Sequence, residues 1–138
     1  MQTRAIFPAA LDSLSRINDF VTAAAESAGF APQAVYAVQM AVEEACSNII
    51  EYAYAGDVAG DIACTCAVDD AGLTITLCDH GRSFDPAVVP EPDLSCSLED
   101  RQVGGLGLYL MHQMMDEVHF ECQAGVCNLL TLVKYKQT

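Results

Sequence analysis

The first half of the chain carries apolar residues at the spacing of amphipathic helices. Residues 9–28 show this pattern and stop at Gly29, and a second stretch begins at Pro32 and ends near Gly56. Glycine is a common residue just after a helix, and proline suits a first helical position. Residues 1–7 are predicted to form a short edge strand. The apolar positions of the two predicted helices are Leu11, Leu14, Ile17, Val21, Ala24, Ala28, Val35, Val38, Val42, Ala45, Ile49 and Ala53.

After Gly60 the hydrophobic period changes from that of a helix to that of a strand. Two alternating runs, residues 62–68 and 73–77, flank an Asp-Asp-Ala-Gly turn and predict a hairpin. Residues 80–103 show no sustained period, so we predict a long loop of the kind that is usually functional. A third helix is predicted over residues 104–115, and a last hairpin is predicted around Gly125.

This order of elements predicts an α+β fold. The expected architecture is a two-layer α/β sandwich, with the helices on one face of a mixed, mostly antiparallel sheet. A length of 138 residues predicts one domain over residues 1–138.

Composition and charge limit the classes of function that are expected for this chain. The chain is 52 % hydrophobic and 18 % charged, with a net charge of −13, which indicates a globular protein that repels nucleic-acid phosphates. No apolar run approaches the roughly 20 residues that cross a bilayer, and the first residues lack the pattern of a secretory signal. We therefore expect a cytoplasmic protein that binds neither nucleic acid nor membrane.

The seven cysteines predict reduced thiols rather than a disulfide framework. Their number is odd and no C-x-x-C pair is present. Cys64 and Cys66 share one face of a predicted strand, which is compatible with a metal site, but small core residues are the expected interpretation.

The acidic charge also constrains any nucleotide site. The negative electrostatic field that repels nucleic acid also repels a free nucleoside triphosphate. A nucleoside triphosphate would need a divalent cation and backbone dipoles here, because the chain has only two lysines, near its end.

The second predicted helix carries the first candidate motif. Glu44 and Asn48 are four residues apart and share one helix face. An amide oxygen is a neutral, hard ligand for Mg²⁺, and a carboxylate one turn away could accept a proton during phosphoryl transfer. The alternative is the ordinary polar edge of an amphipathic helix.

The second candidate motif follows a predicted strand. Asp79 can accept a hydrogen bond from an exocyclic amine such as that of adenine, and Gly81 permits close backbone approach. A plain strand-ending turn is the alternative.

The third candidate motif is a glycine-rich turn that enters the third predicted helix. Free backbone N–H groups at a helix N-terminus form a phosphate cradle that needs no lysine. Glycine before a helix is also common in plain turns. The residues concerned are Gly104, Gly105, Leu106, Gly107 and Leu108.

Taken together, the order and spacing of these motifs resemble those of the GHKL (Bergerat-fold) ATPase superfamily. The likeness is closest to the anti-sigma regulatory factor serine/threonine protein kinases. It is carried by V-E-E-A-C-S-N-I-I-E-Y-A-Y from position 42, D-H-G-R-S-F-D-P from position 79, G-L-G-L-Y-L-M from position 105 and L-L-T-L-V-K from position 129.

The resemblance implies a role for each motif. Glu44 would be the catalytic base, Asn48 would coordinate Mg²⁺, and Asp79 would recognise the adenine of ATP. Residues 87–103 would form a lid over the nucleotide. The remaining nucleotide contacts implied are the glycine-rich stretch Gly104, Gly105, Leu106, Gly107 and Leu108, together with Gly81, Arg101 and Asn128.

The resemblance also implies partners. The substrate would be a serine or threonine on a small, STAS-like anti-sigma antagonist, and phosphorylation would free the kinase to hold a sigma factor. Relatives form homodimers through the first helix and the sheet edge. A second hypothesis is a non-catalytic, ATP-dependent module that sequesters a partner protein. A detached histidine-kinase ATPase half is disfavoured, because no phosphoacceptor histidine lies on a dimerisation helix.

Overall fold

Five strands form one sheet in a computed structural model that describes residues 1–53, 60–80, 105–123 and 127–136. Their spatial order is β1-β2-β3-β5-β4, and all four pairings are antiparallel. The predicted α+β class is confirmed, and the predicted strands and hairpins are present. The strands are β1 (Gln2–Pro8), β2 (Asp61–Val68), β3 (Gly72–Asp79), β4 (Glu117–Gln123) and β5 (Cys127–Tyr135).

Three α-helices accompany the sheet among the residues that the structure describes: α1 (Leu14–Ser27), α2 (Pro32–Asn48) and α3 (Gly105–Met114). A short 3₁₀ turn, Leu11–Ser13, precedes α1. Helix α2 packs against both α1 and α3, so it is the central helix of its layer. Pro32 stands in the first turn of α2, where its missing N–H costs no intrahelical hydrogen bond.

Helix α1 ends in a Schellman motif at the predicted glycine. Gly29 has a φ of 84° and donates its N–H to the carbonyl of Glu26, and Phe30 donates to the carbonyl of Ala25. These two bonds satisfy carbonyls that the helix leaves without intrahelical donors, and they turn the chain into α2.

Helix α2 differs from its prediction at its C-terminal end. The sequence pattern predicts a helix that continues to the region of Gly56, whereas regular α-helix ends at Asn48 and Ile49–Ala53 forms a π-helical turn. A π turn adds one residue to the repeat and shifts the side chains that follow. Such turns are frequent at functional sites.

The core lies between the helices and one face of the sheet. Alternate residues of β2, β3 and β5 point towards the helices and are buried, as the period of two predicts. Helix residues such as Val21 and Val38 cover them from the other side. The buried apolar positions on the sheet are Ile62, Cys64, Cys66, Leu73, Ile75, Leu77, Leu130 and Leu132.

The residues between these positions form the opposite face of the sheet, which we call the open face. They keep partial exposure and are mostly small or β-branched. On the three central strands the open face comprises Ala63, Thr65, Ala67, Thr74, Thr76, Cys78, Cys127, Leu129, Thr131 and Val133.

Cys64 and Cys66 are buried among apolar residues, in agreement with their prediction as small core residues, and Cys46 is buried as well. Burial raises the pKa of Cys46 to about 12, so this thiol stays protonated at neutral pH. Within the described part of the chain, no three His, Cys, Asp or Glu side chains are grouped to hold a metal ion. None of the helices described there combines the length and apolar character that a bilayer crossing requires.

The turn between β2 and β3 requires glycine at its last position. The carboxylate of Asp69 accepts hydrogen bonds from the N–H groups of Ala71 and Gly72, at 2.8 and 3.0 Å. Gly72 has a φ of 154°, and a Cβ atom there would lie 2.1 Å from the carbonyl oxygen of Lys134 on β5. A side chain at this position would therefore push two paired strands apart.

We predict that Gly72→Ala lowers the free energy of unfolding by about 2 kcal/mol or more, because the backbone of β5 must move. Gly29→Ala is the matched control: it also has a positive φ, but no atom lies within 4 Å of the added Cβ, so a loss of about 1 kcal/mol is expected. Urea unfolding measures both. Equal losses would contradict the steric explanation.

Candidate functional site

Two buried polar residues face each other across β3 and β5. Asp79 is the last residue of β3, and Asn128 is its direct partner near the start of β5. The Nδ2 atom of Asn128 donates a hydrogen bond of 2.9 Å to Oδ1 of Asp79. The exposed fractions are 2 % and 1 %. The strand register thus places both side chains on the helix side of the sheet, in line with the apolar core.

A buried carboxylate needs polar partners, because its desolvation costs several kcal/mol when it is left alone. Asn128 supplies one donor to Asp79 and keeps its own Oδ1 buried without a hydrogen-bond partner in the described structure. An ionised carboxylate has acceptor capacity beyond one bond, and an amide oxygen is an acceptor as well. This end of the sheet therefore presents acceptors for a ligand that donates N–H or O–H.

Asn48 is a third buried polar residue, on the last turn of α2. Its side chain is 6 % exposed, and its Nδ2 atom has no hydrogen-bond partner among the described residues. The π-helical turn begins at the next residue, Ile49. An unpaired buried amide costs about 1–3 kcal/mol, and in native proteins such groups call for an explanation. Either orientation of this carboxamide presents a polar atom to a ligand.

The length and starting point of α2 are compatible with a position of Asn48 near the end of the sheet that carries Asp79. The first turn of α2 lies beside the end of β5, where Ala34 and Tyr135 line one cavity. Seventeen residues of helix span about 25 Å, which matches the roughly 23 Å of strand between Tyr135 and Asn128. After α2 the chain enters β2, whose Ile62 pairs with Asp79.

Glu44 lies one helical turn before Asn48. Its side chain is partly exposed, whereas that of its neighbour Glu43 is exposed. Glu44 is thus positioned at the boundary between core and solvent, on the helix face that carries Asn48. A carboxylate in this position remains accessible to a substrate group that approaches from outside.

Helix α3 begins at Gly105 and packs against α2. Its C-terminal end lies beside β5, where Lys134 Nζ donates a 2.7 Å hydrogen bond to the carbonyl of Met114. The glycine-containing N-terminal end is therefore the end directed away from Lys134. Backbone N–H groups and the positive end of the helix dipole are located there. The predicted contact residues Gly105, Leu106, Gly107 and Leu108 form its first turn.

Several predicted site residues lie outside the described residues. Gly81, Arg101 and Gly104 belong to this group, as do the predicted lid over residues 87–103 and residues 82–86 of the predicted loop. Their assigned roles stay predictions. Among the described site residues, the structure brings Asp79 and Asn128 into contact.

Two features of the site were not predicted from the sequence: the π turn after Asn48 and the buried, unpartnered amide atoms. The predicted helix continued through Ile49 because the apolar spacing continues. The only local signal for the amide was a polar residue at a position that the helical period assigns to the buried face.

These residues fit a magnesium nucleotide. Asn48 offers a neutral oxygen that suits Mg²⁺, and it does not add to the net charge of −13. Asp79 and Asn128 offer acceptors for the amine edge of a base, and the first turn of α3 offers N–H groups for phosphates. The bound cation would offset part of the repulsion between the acidic protein and the phosphates.

Comparison with known proteins decides the family. The model of the histidine kinase-like ATPase domain matches residues 7–134. This chain belongs to that family. The histidine kinase-like ATPase match confirms the predicted GHKL relationship and spans both the helix that carries Asn48 and the strands that carry Asp79 and Asn128.

Three of the curated relatives of this chain are named serine-protein kinase RsbW. They come from Bacillus cereus (strain AH187), Bacillus anthracis and Bacillus thuringiensis (strain Al Hakam). Each is 34 % identical to this chain over 134 residues, which cover 94 % of this chain and 82 % of the relative. The similarity therefore extends over nearly the whole chain.

The two buried amides should differ in what they contribute to stability. We predict that Asn128→Ala lowers the free energy of unfolding by about 1.5–3 kcal/mol, because it removes a donor from a buried carboxylate. Asn48→Ala should change the free energy of unfolding by less than about 1 kcal/mol. The Nδ2 atom that this substitution removes has no partner in the described structure. Urea unfolding of both variants without nucleotide tests this, and a larger loss for Asn48→Ala would contradict it.

Proposed function

We propose that this chain is an ATP-dependent protein serine/threonine kinase that acts as an anti-sigma, partner-switching regulatory factor. The observations that carry the proposal are a buried, hydrogen-bonded polar pair at one end of the sheet and a buried amide on the last turn of α2. Asp79 and Asn128 form the hydrogen-bonded pair, and Asn48 and Asn128 each have a buried polar atom without a described partner. The membership in an ATPase family and the similarity to serine-protein kinases give these polar residues their interpretation.

In this proposal each element of the site has one role in holding the nucleotide. Asp79 accepts a hydrogen bond from the exocyclic amine of adenine, and Asn128 orients that carboxylate. Asn48 provides an oxygen ligand to Mg²⁺. The first turn of α3 and the preceding Gly104 surround the phosphates with backbone N–H groups. The cation, when bound, neutralises charge on the phosphates and orients the terminal one.

Glu44 is the proposed general base. In the transfer, the bond between the terminal phosphorus and its bridging oxygen breaks, and a bond forms between phosphorus and the serine hydroxyl oxygen. The hydroxyl proton moves to the Glu44 carboxylate, and ADP leaves with the bridging oxygen. The partial exposure of Glu44 supports this role, because a hydroxyl on another protein has to reach it.

The proposed substrate is a serine on a small, STAS-like anti-sigma antagonist. Phosphorylation would weaken the antagonist's binding and leave the kinase free to hold a sigma factor. In this proposal the protein acts in the cytoplasm, uses no direct contact to nucleic acid, and forms a homodimer.

We predict that Glu44→Gln lowers the rate of phosphate transfer to a cognate antagonist by at least 100-fold, because the side chain can no longer accept the proton. Affinity for ATP should stay within about threefold, since Gln keeps the size of Glu. Glu43→Gln is the matched control: it removes the same charge from the adjacent, exposed position and should leave the rate unchanged. Transfer is measured with labelled ATP and the purified antagonist.

The same experiment separates the kinase from a non-catalytic binding module. A module that only sequesters its partner would transfer no phosphate in the unmodified protein, although ATP would increase its affinity for the partner. Absence of transfer at saturating Mg-ATP, with an antagonist that binds, would overturn the kinase assignment.

We further predict that Asn48→Ala reduces the Mg²⁺-dependent part of ATP affinity by at least tenfold, because a ligand of the cation is lost. Ser47→Ala, a change at the adjacent and partly exposed position, is the control and should bind normally. Isothermal titration with a non-hydrolysable ATP analogue, with and without Mg²⁺, measures the difference. Equal affinities of Asn48→Ala and the unmodified protein at saturating Mg²⁺ would contradict the metal role.

A further inference from the structure

Cys78 and Cys127 form a thiol pair on the open face of the sheet. Cys78 pairs in register with Leu129, two residues after Cys127, so the two cysteines are diagonal neighbours on adjacent antiparallel strands. The Cys127 thiol is close enough to contribute to the raised pKa of Cys78, and both side chains are partly exposed. Two cysteines therefore lie on the same face of adjacent strands, at a surface that small molecules can reach.

The chain contains a second thiol pair that serves as an internal comparison. Cys64 and Cys66 also lie on one face, two residues apart, but on the helix side of β2, and they are 0 % and 1 % exposed. The hydrogen bond to Cys66 and burial both raise the pKa of Cys64. Protein interiors are packed as densely as organic crystals, so this inner pair has no room for an added group.

The surroundings of the outer pair restrict the chemistry that it can perform. Burial, the Cys127 thiol and the Asp79 carboxylate raise the pKa of Cys78 to about 12, with Arg4 acting in the opposite direction. Attack by a single thiolate is slow when the thiol is protonated at neutral pH, so Cys78 is poorly suited to act as a simple nucleophile. A ligand that engages both sulfurs at once gains from their proximity instead.

The number of coordinating side chains restricts the kind of metal or metalloid atom that could bind. Structural zinc requires four protein ligands, and no group of three or more suitable side chains occurs in the described structure. Two thiol sulfurs are sufficient for a soft metal or metalloid atom that has two coordination positions available.

We propose that Cys78 and Cys127 form a chelating dithiol site for a soft, thiophilic centre of the monosubstituted trivalent arsenical type. Binding joins β3 to β5 one residue away from the Asp79–Asn128 hydrogen bond, on the opposite face of the sheet. The site needs no nucleotide and is independent of the proposed kinase activity.

The chemistry of binding is a condensation without oxidation or reduction. With phenylarsine oxide as the probe, two S–H bonds break and two As–S bonds form. The arsenic-bound oxygen leaves with the two protons as one molecule of water. Arsenic stays trivalent, and the phenyl group occupies its third position.

The test uses the full chain with Cys96→Ser and Cys122→Ser, because the side chains of these two cysteines are outside the described structure. The protein is kept reduced with a phosphine, titrated with phenylarsine oxide and analysed by native mass spectrometry. One equivalent should bind. In the same background, Cys78→Ser and Cys127→Ser should each weaken binding by at least tenfold, because one sulfur cannot chelate. Cys64→Ala is the matched control and should leave binding unchanged.

A second measurement covers the case in which a variant fails to fold. The five-cysteine protein is loaded with phenylarsine oxide and alkylated in denaturant, and the protected cysteines are located by peptide mass mapping. Protection of Cys78 and Cys127, reversed by ethanedithiol, supports the site. Protection of Cys64 and Cys66, or no protection at all, overturns it, as does undiminished binding in either serine variant.

Discussion

The hydrogen bond between Asn128 and Asp79 is the interaction on which the candidate site depends. It lies in the same buried layer as the apolar side chains of β3 and β5, where a carboxylate is stable only with polar partners. The strict alternation of a strand explains why these two polar residues occur there. Asp79 follows Leu73, Ile75 and Leu77 on one face of β3, so the site is a continuation of the core in which polar atoms replace apolar ones at the end of the sheet.

Most of the fold could be predicted because its signals are local. The periods of two and 3.6 residues placed the strands and helices, and glycine and proline marked boundaries that the structure reproduces, as at Gly29 and Pro32. The antiparallel hairpins followed from short turns. Family membership also followed from short motifs, since their order along the chain carries more information than any one of them.

Other features depend on contacts between distant residues. Asn128 was predicted as a nucleotide contact on the last strand, but its hydrogen bond to Asp79 was not predicted, because the two residues are 49 positions apart in the chain. A shift of one residue in the register of β5 would turn Asn128 to the open face and place Cys127 in the core, so the contact depends on the tertiary structure. The π turn after Asn48 was missed for a related reason. An apolar helical pattern continues through Ile49, and the extra backbone residue leaves no trace in the hydrophobic period.

The unpartnered amide of Asn48 and the acidic charge of the chain both support the proposed site for a magnesium nucleotide. Selection for stability alone would favour an apolar residue at a helix position that is 6 % exposed, because the buried amide costs free energy and its Nδ2 has no described partner. Proteins keep such costs mainly where function requires them. A net charge of −13 makes a bare triphosphate an unfavourable ligand, and a cation bound between protein and phosphates removes that conflict. In the proposed site, a neutral oxygen ligand at Asn48 would leave the charge of the cation to the phosphates, whereas an aspartate there would neutralise part of that charge. The proposed role as a metal ligand would explain why an amide occupies this buried position.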